Sequence, residues 1–239
     1  RCADLRYATR FLAPDPFVFV QRPAESVVMV SDLELDRARD QAAVDRVVAG
    51  SQYERQLRQA GQDQPTQAQL LLALLRDLEV TRLLVPADFP LRTADQLRAA
   101  GLHLETAAGP LFACRQCKTP AEVDAVRSAM QAAERSLQVA VTTLRRATVA
   151  AGVLLLDGAP LTSERLRRQI HLSLMEQDCA AAHTIVAGGD QGCDPHQEGH
   201  GPLRAGEGII IDVFPQSSAT GYFGDLTRTV VRGKASYAL

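Results

Sequence analysis

Residues 209–214 read Ile209-Ile210-Ile211-Asp212-Val213-Phe214, and the chain later resumes a β-prone course with Gly224-Asp225-Leu226-Thr227-Arg228-Thr229. Branched residues dominate both runs, which marks them as strands, and each run carries one aspartate. Paired as an antiparallel hairpin with its turn centred on Ser218-Ala219, the two strands set Asp212 directly opposite Asp225. Directly opposed residues share a face, with Cβ atoms about 4.5–5.5 Å apart. Two carboxylates that close repel unless a proton or a cation sits between them, and a pair of metal ions about 3.5–4 Å apart fits the span. A lone carboxylate buried in an apolar strand is also costly, so Asp212 must be paired, protonated or bound to a cation. From spacing alone a structural alternative stands beside the metal site: Asp212 pairs with a base such as Arg228, and Asp225 opens a turn. His196 and His200, in the loop just upstream, favour a site, although each taken singly reads as a surface histidine.

The rest of the composition narrows the class. A chain of 239 residues with 46% hydrophobic and 23% charged content is an ordinary globular protein of one large or two modest domains. The net charge of -2 leaves no electrostatic footprint for nucleic acid or an anionic membrane. No apolar run approaches the roughly 18 residues of a membrane span. Five scattered cysteines, an odd number, predict reduced thiols and a cytoplasmic setting. Cys114 and Cys117 have C-x-x-C spacing but no second pair nearby, and read as incidental thiols. The start at Arg1-Cys2-Ala3-Asp4 has neither an apolar leader nor an initiator Met and reads as an interior point of a longer chain.

Residues 17–20, 27–30, 44–48, 82–85 and 102–104 read as short strands. Between them Asp32 is expected to cap a short helix through Leu33, Leu35 and Ala38. Thr66 opens a firmer helix with Leu70, Leu71, Leu74, Leu75 and Leu78 on one stripe, and residues 91–100 form a helix ended by Gly101. Residues 4–7 read as a strand or edge segment. Strands alternating with helices predict an α/β domain with a largely parallel or mixed sheet. His103 reads as a surface or core residue, and nothing in this half looks catalytic.

Residues 112–118 read as a connector. Thr119-Pro120-Ala121-Glu122 is then a capping box with Pro at the first helical position. The long helix it opens is expected to bury Val123, Val126, Met130, Ala133, Leu137, Val141 and Leu144. Residues 152–158 read as a break. Thr162 or Ser163 caps a helix with Leu166, Ile170 and Leu174 inward and His171 solvated. Residues 188–192 are too Gly-rich for regular structure.

Taken together, His183-Thr184-Ile185-Val186-Ala187, Asp194-Pro195-His196, the strand holding Asp212, and the Gly-Asp-x-Thr-Arg-Thr run at 224–229 resemble the pita-bread metallopeptidases, in their Xaa-Pro aminopeptidase and prolidase branch. The resemblance implies an α/β N-terminal domain of the creatinase type at 1–118, followed at 119–239 by the first half of an α+β pita-bread catalytic domain. It implies that Asp212 and Asp225 are ligands of a dinuclear site, with Asp225 bridging two divalent ions, manganese first and cobalt or zinc as alternatives. It implies that His196 lies in the substrate pocket, and that a metal-bridged hydroxide is the nucleophile. A proline-containing peptide is the implied substrate and a homodimer the implied assembly. His183 and His200 receive no role.

Two departures from the family pattern stand out. Twelve residues separate Asp212 from Asp225, more than in many members. The family also completes its site with one His and two Glu from a second half, whereas this sequence ends at Leu239. The 239 residues alone are therefore expected to be inactive and prone to aggregate, with the 209–214 strand short of cover. A non-catalytic relative on the same fold and a metal-free hydrolase of the creatinase type are the rival readings.

Overall fold

The computed structural model describes residues 2–235; the chain end at Leu239 lies outside them. The chain divides into two units, Arg1–Cys117 and Lys118–Leu239.

The first unit opens with helix α1 (Ala3–Thr9) where residues 4–7 suggested a strand. Contacts distant in sequence decide this: the Tyr7 ring packs tilted against Phe112 at 5.6 Å and Asp4 pairs with Arg115, while within the helix the buried Thr9 hydroxyl donates to the Leu5 carbonyl at 2.7 Å. Strands β1 (Val18–Gln21) and β2 (Ser26–Val30) pair antiparallel, closed by an Arg22 N–H to Glu25 carbonyl bond of 2.8 Å. A 3-10 turn at Asp32–Glu34 leads into α2 (Leu35–Gln41). Asp32 does not cap it; its carboxylate accepts from the Ser51 hydroxyl at 2.8 Å instead. Strand β3 (Arg46–Ala49) runs parallel to β2. Helix α3 (Gly50–Gln59) follows, and α4 (Gln67–Asp77) starts from a Thr66–Gln69 capping box. Strand β4 (Arg82–Val85), helix α5 (Leu91–Ala99) and strand β5 (His103–Thr106) complete the unit, with β4 and β5 parallel. Val27, Met29, Tyr53, Leu74, Leu75 and Leu97 form its core. The α/β class read from the sequence holds, but the strands form a mixed three-stranded sheet and a separate parallel pair.

The second unit is built on α6 (Pro120–Arg146), whose capping box joins Thr119 and Glu122 as the sequence indicated. The buried face keeps Ala133, Leu137 and Leu144 of the expected stripe but otherwise differs from it. It runs through Ala129, Ala132, Ala133, Ser136, Leu137, Ala140, Thr143 and Leu144, and leaves Val123 at 40% exposure. Small side chains let this helix lie close to its neighbours, so its Ala/Ser/Thr face turns inward and the bulkier valines sit at the margin. Strands β6 (Thr148–Ala150), β7 (Val153–Leu156) and β8 (Ala159–Pro160) then form a meander where the sequence suggested only a break. Asp157-Gly158, with φ of 52° and 77°, makes one of its tight turns, a conformation for which Asp-Gly is well suited.

Helix α7 (Ser163–Met175) buries Leu166, Ile170 and Leu174 fully. His171, expected in solvent, is instead half-buried, and its Nε2 has no hydrogen-bond partner. After β9 (Cys179–Ala180) come β10 (Ile185–Gly188) and a 3-10 turn at Gly189–Cys193. Strands β11 (Gly208–Val213), β12 (Gln216–Ser217) and β13 (Leu226–Val231) follow. The sheet order is β10-β11-β13, antiparallel throughout. The central strand β11 inserts Ile209, Ile211 and Val213 into a core shared with Leu137 and Leu144 of α6 and Ile170 of α7. Helices of the same unit thus cover one face of the strand that was expected to lack cover.

Candidate metal centre

The two-residue period of β11 decides where Asp212 points. Ile209, Ile211 and Val213 are fully buried, while Gly208, Ile210 and Asp212 alternate with them on the opposite, half-buried face. Asp212 is therefore not sunk in an apolar core. Its neighbours across the ladder are Ile185 on β10 and Thr227 on β13. The Thr227 hydroxyl donates to Asp212 Oδ1 in a short hydrogen bond.

The structural alternative required a base beside Asp212. Arg228 sits opposite Ile211, one position out of phase with Asp212, and its guanidinium donates to the Thr227 carbonyl at 2.7 Å. Among the described residues no ion pair involves Asp212 or Asp225.

The register differs from the sequence expectation. Asp212 pairs with Thr227 and Val213 with Leu226, so Asp225 falls just before the ladder instead of opposite Asp212. The displacement is two residues, and a shift of two keeps every side chain on its own face. A strand continued in this register past Leu226 would set Asp225 diagonal to Asp212, a relationship with Cα atoms typically about 7–8 Å apart. The cause is the intervening loop, which is no simple hairpin turn. Strand β12 leaves to pair with β9, the Ser218 N–H bonds the Asp178 carbonyl at 2.9 Å, and the Gly224 N–H returns to the Pro215 carbonyl at 3.0 Å.

What fixes Asp225 is its docking on α6. A Cβ on Gly224 would lie 2.4 Å from the Ala129 carbonyl oxygen, so only glycine permits the approach. The Asp225 N–H donates to the Met130 sulfur at 3.1 Å, and the Tyr222 hydroxyl donates to Glu122 Oε1 at 2.6 Å. Spacing did not reveal these partners; a glycine directly before a site aspartate was the one available hint.

The histidines stand apart. His196 is exposed on its loop, with its N–H on Asp194 Oδ1 at 3.0 Å. His200 exchanges two main-chain bonds with the Gln191 amide, at 2.9 and 3.0 Å. His183 has φ of 55° and places Nδ1 2.9 Å from Glu198 Oε1. Arg167 of α7 secures that loop by donating to the carbonyls of Glu198 and Gly199. Among the described residues no group of three or more His, Cys, Asp or Glu side chains could hold a metal ion. An open recess of about 700 Å³ shares the Asp212 face through Ile210 and Thr229, yet neither aspartate nor His196 lines it.

The two aspartates fit a divalent ion as part of a ligand set. They supply anionic oxygen donors of the kind hard ions select. Asp212 is oriented by Thr227 as ligands are oriented by their outer partners, and among the described residues no cation of the protein neutralises either.

Residues 124–238 match metallopeptidase family M24. No curated protein sequence matches the chain. Among solved structures, the chain is similar to an Xaa-Pro dipeptidase from Bacillus anthracis, with a TM-score of 0.77 at 16% identity, covering 98% of this chain and 59% of that one. It is similar to a prolidase from Pyrococcus furiosus, with a TM-score of 0.74 at 13% identity over 98% of this chain and 61% of that one. It is also similar to aminopeptidase P from E. coli, with a TM-score of 0.68 at 21% identity over 99% of this chain and 55% of that one. The chain thus spans about three fifths of the length of these structures, all of which share its fold.

Proposed function

We propose, from the premise that residues 124–238 form a domain of metallopeptidase family M24, that this chain belongs to a metal-dependent exopeptidase that cleaves Xaa-Pro peptide bonds. The observation that supports the reading is that Asp212 lies on β11 and Asp225 directly precedes β13, the strand paired with it, with no base beside either among the described residues. Asp212 and Asp225 would hold divalent metal, with manganese the first candidate because both donors are carboxylate oxygens. Divalent ions, when bound, supply Lewis-acid polarisation of a peptide carbonyl and an activated water.

The chain's own residues do the positioning. The Thr227 hydroxyl holds Asp212 in one orientation. The contact of Gly224 with α6 and the Asp225 N–H to Met130 bond fix where the second carboxylate starts. His196, exposed on its loop, is assigned to the substrate: its imidazole can donate a hydrogen bond to the scissile peptide and its tetrahedral intermediate. Two carboxylates are fewer donors than an octahedral ion takes, so the reading concerns the assembled enzyme. A homodimer and a cytoplasmic setting belong to the same proposal.

The test uses the full-length protein with Mn²⁺, an Xaa-Pro dipeptide and an Xaa-Pro-Xaa tripeptide. Hydrolysis at the Xaa-Pro bond, lost with a chelator and much slower when Ala replaces Pro, is the expected result. Hydrolysis indifferent to the chelator, or equal for Ala and Pro, would overturn the proposal.

A further inference from the structure

The β11–β13 ladder begins at Leu226, so no bond between these two strands fixes the backbone of Asp225. The position of its carboxylate relative to Asp212 is instead inherited from the segment 222–225 and from whatever that segment rests on. It rests on the first half of α6 at three successive points. The Tyr222 hydroxyl donates to Glu122 Oε1 at 2.6 Å, Gly224 lies against the Ala129 carbonyl, and the Asp225 N–H meets the Met130 sulfur at 3.1 Å. Glu122 is itself held rigidly: its Oε2 accepts from the Thr119 N–H and from the Thr119 hydroxyl, both at 2.8 Å, closing the capping box of α6.

We infer that Tyr222 is a positioning residue for Asp225, acting through Glu122 to lock the 222–225 segment onto the start of α6. The inference rests on the reading of Asp225 as a metal ligand. Glu122 is a suitable acceptor. The Tyr222 hydroxyl first, and then Thr119, hold its carboxyl down to about 2, so it is an anion that accepts from the phenol at any working pH. A helix end closed by Pro120 and a capping box is also a firm support. Of the three points, the Gly224 and Asp225 contacts bear on backbone and sulfur, and the phenol contributes the charge-assisted bond.

The test compares the full-length wild-type protein with Tyr222→Phe, which keeps the ring and removes only the oxygen. Two quantities are measured, Mn²⁺ affinity by calorimetry and amide hydrogen exchange across residues 215–225. Tyr222→Phe is expected to weaken Mn²⁺ binding about tenfold, the scale of one hydrogen bond to a charged group, and to speed exchange in the segment. Glu122→Gln, which keeps an acceptor and a capping side chain, is expected to lose less than Glu122→Ala. Faster exchange with unchanged Mn²⁺ affinity would reduce Tyr222 to a structural role and overturn the inference, as would no change in either. A wild-type protein that takes up no Mn²⁺ would overturn the metal centre itself and this assignment with it, a failure separable from that of the variant alone.

Discussion

Thr227 faces Asp212 across the β11–β13 ladder and donates its hydroxyl hydrogen to the carboxylate. In a sheet where Ile209, Ile211 and Val213 leave no polar partner on the buried face, this pairing settles how Asp212 is satisfied without a neighbouring base. Thr227→Val keeps the branched shape that suits a strand and removes the donor. Because Asp212 is only half-buried, the stability loss should be small, about 1 kcal/mol or less by urea denaturation. Mn²⁺ affinity of the full-length protein should fall several-fold, because the ligand loses its orienting partner. Unchanged metal affinity would remove Thr227 from the site.

Gly224→Ala should be far more damaging than its size suggests. The added Cβ would meet the Ala129 carbonyl oxygen at 2.4 Å and its carbon at 2.6 Å, both backbone atoms of a helix interior that cannot swing aside. Forced overpacking of this kind costs about 1–3 kcal/mol. A lowered denaturation midpoint with an unchanged m-value is the expected signature, and a neutral substitution would show that the segment does not rest on α6 as described.

In the core of the second unit, Ile170→Ala should cost about 2–5 kcal/mol, since the side chain is fully buried among residues of α6 and β11. Leu172→Ala, two residues away on the same helix but 54% exposed, should change stability by about 0.5 kcal/mol or less. The contrast is read by parallel denaturation curves. Equal effects would contradict the orientation of α7.

His171 gives the unit a pH dependence. Burial, and then the neighbouring Arg167 charge, push its imidazole below the ordinary value of 6.5, with Glu198 opposing them. The unfolded chain therefore takes up this proton more readily than the folded one. Stability should decline as pH falls through the ordinary histidine range, and the decline should level off once pH passes below the lowered folded value. His171→Gln should flatten that slope between about pH 7 and pH 5. A slope equal to that of the wild type would mean that His171 titrates alike in both states.

How far the sequence led depends on whether the deciding forces are local. The β11 and β13 runs were legible because branched residues in short runs have few other destinations. The helix start at Thr66 and the capping box at Thr119 were legible because the residues that make them lie within four positions of each other. The ladder register was not, because it is set by β12 pairing with β9 and by Gly224 docking on Ala129, contacts made far along the chain. The same is true of α1, held by Phe112 and Arg115. The inward face of α6 was read correctly at Ala133, Leu137 and Leu144 and missed elsewhere because size was read as burial, whereas close packing favoured Ala129, Ala132, Ser136 and Ala140. Helix α3 offered only Tyr53 and Leu57 as larger apolar residues, too sparse a stripe to declare itself. The Asp157-Gly158 turn, by contrast, was written in the local sequence and passed over. For the site, Asp212 and Asp225 stood out in the sequence as candidates, but Thr227 beside Asp212, and Tyr222 and Met130 in the docking of the 222–225 segment, did not.

The central claim is that Asp212, on β11, and Asp225, just before β13, hold divalent metal together. Its most direct test is the Mn²⁺ stoichiometry and affinity of the full-length protein beside those of Asp225→Ala, with folding of both checked by denaturation. The wild type should bind Mn²⁺, and Asp225→Ala should remain folded while losing that binding and all hydrolysis of an Xaa-Pro peptide. A folded Asp225→Ala protein that binds Mn²⁺ as tightly as the wild type, or still cleaves the peptide at the wild-type rate, would contradict the claim.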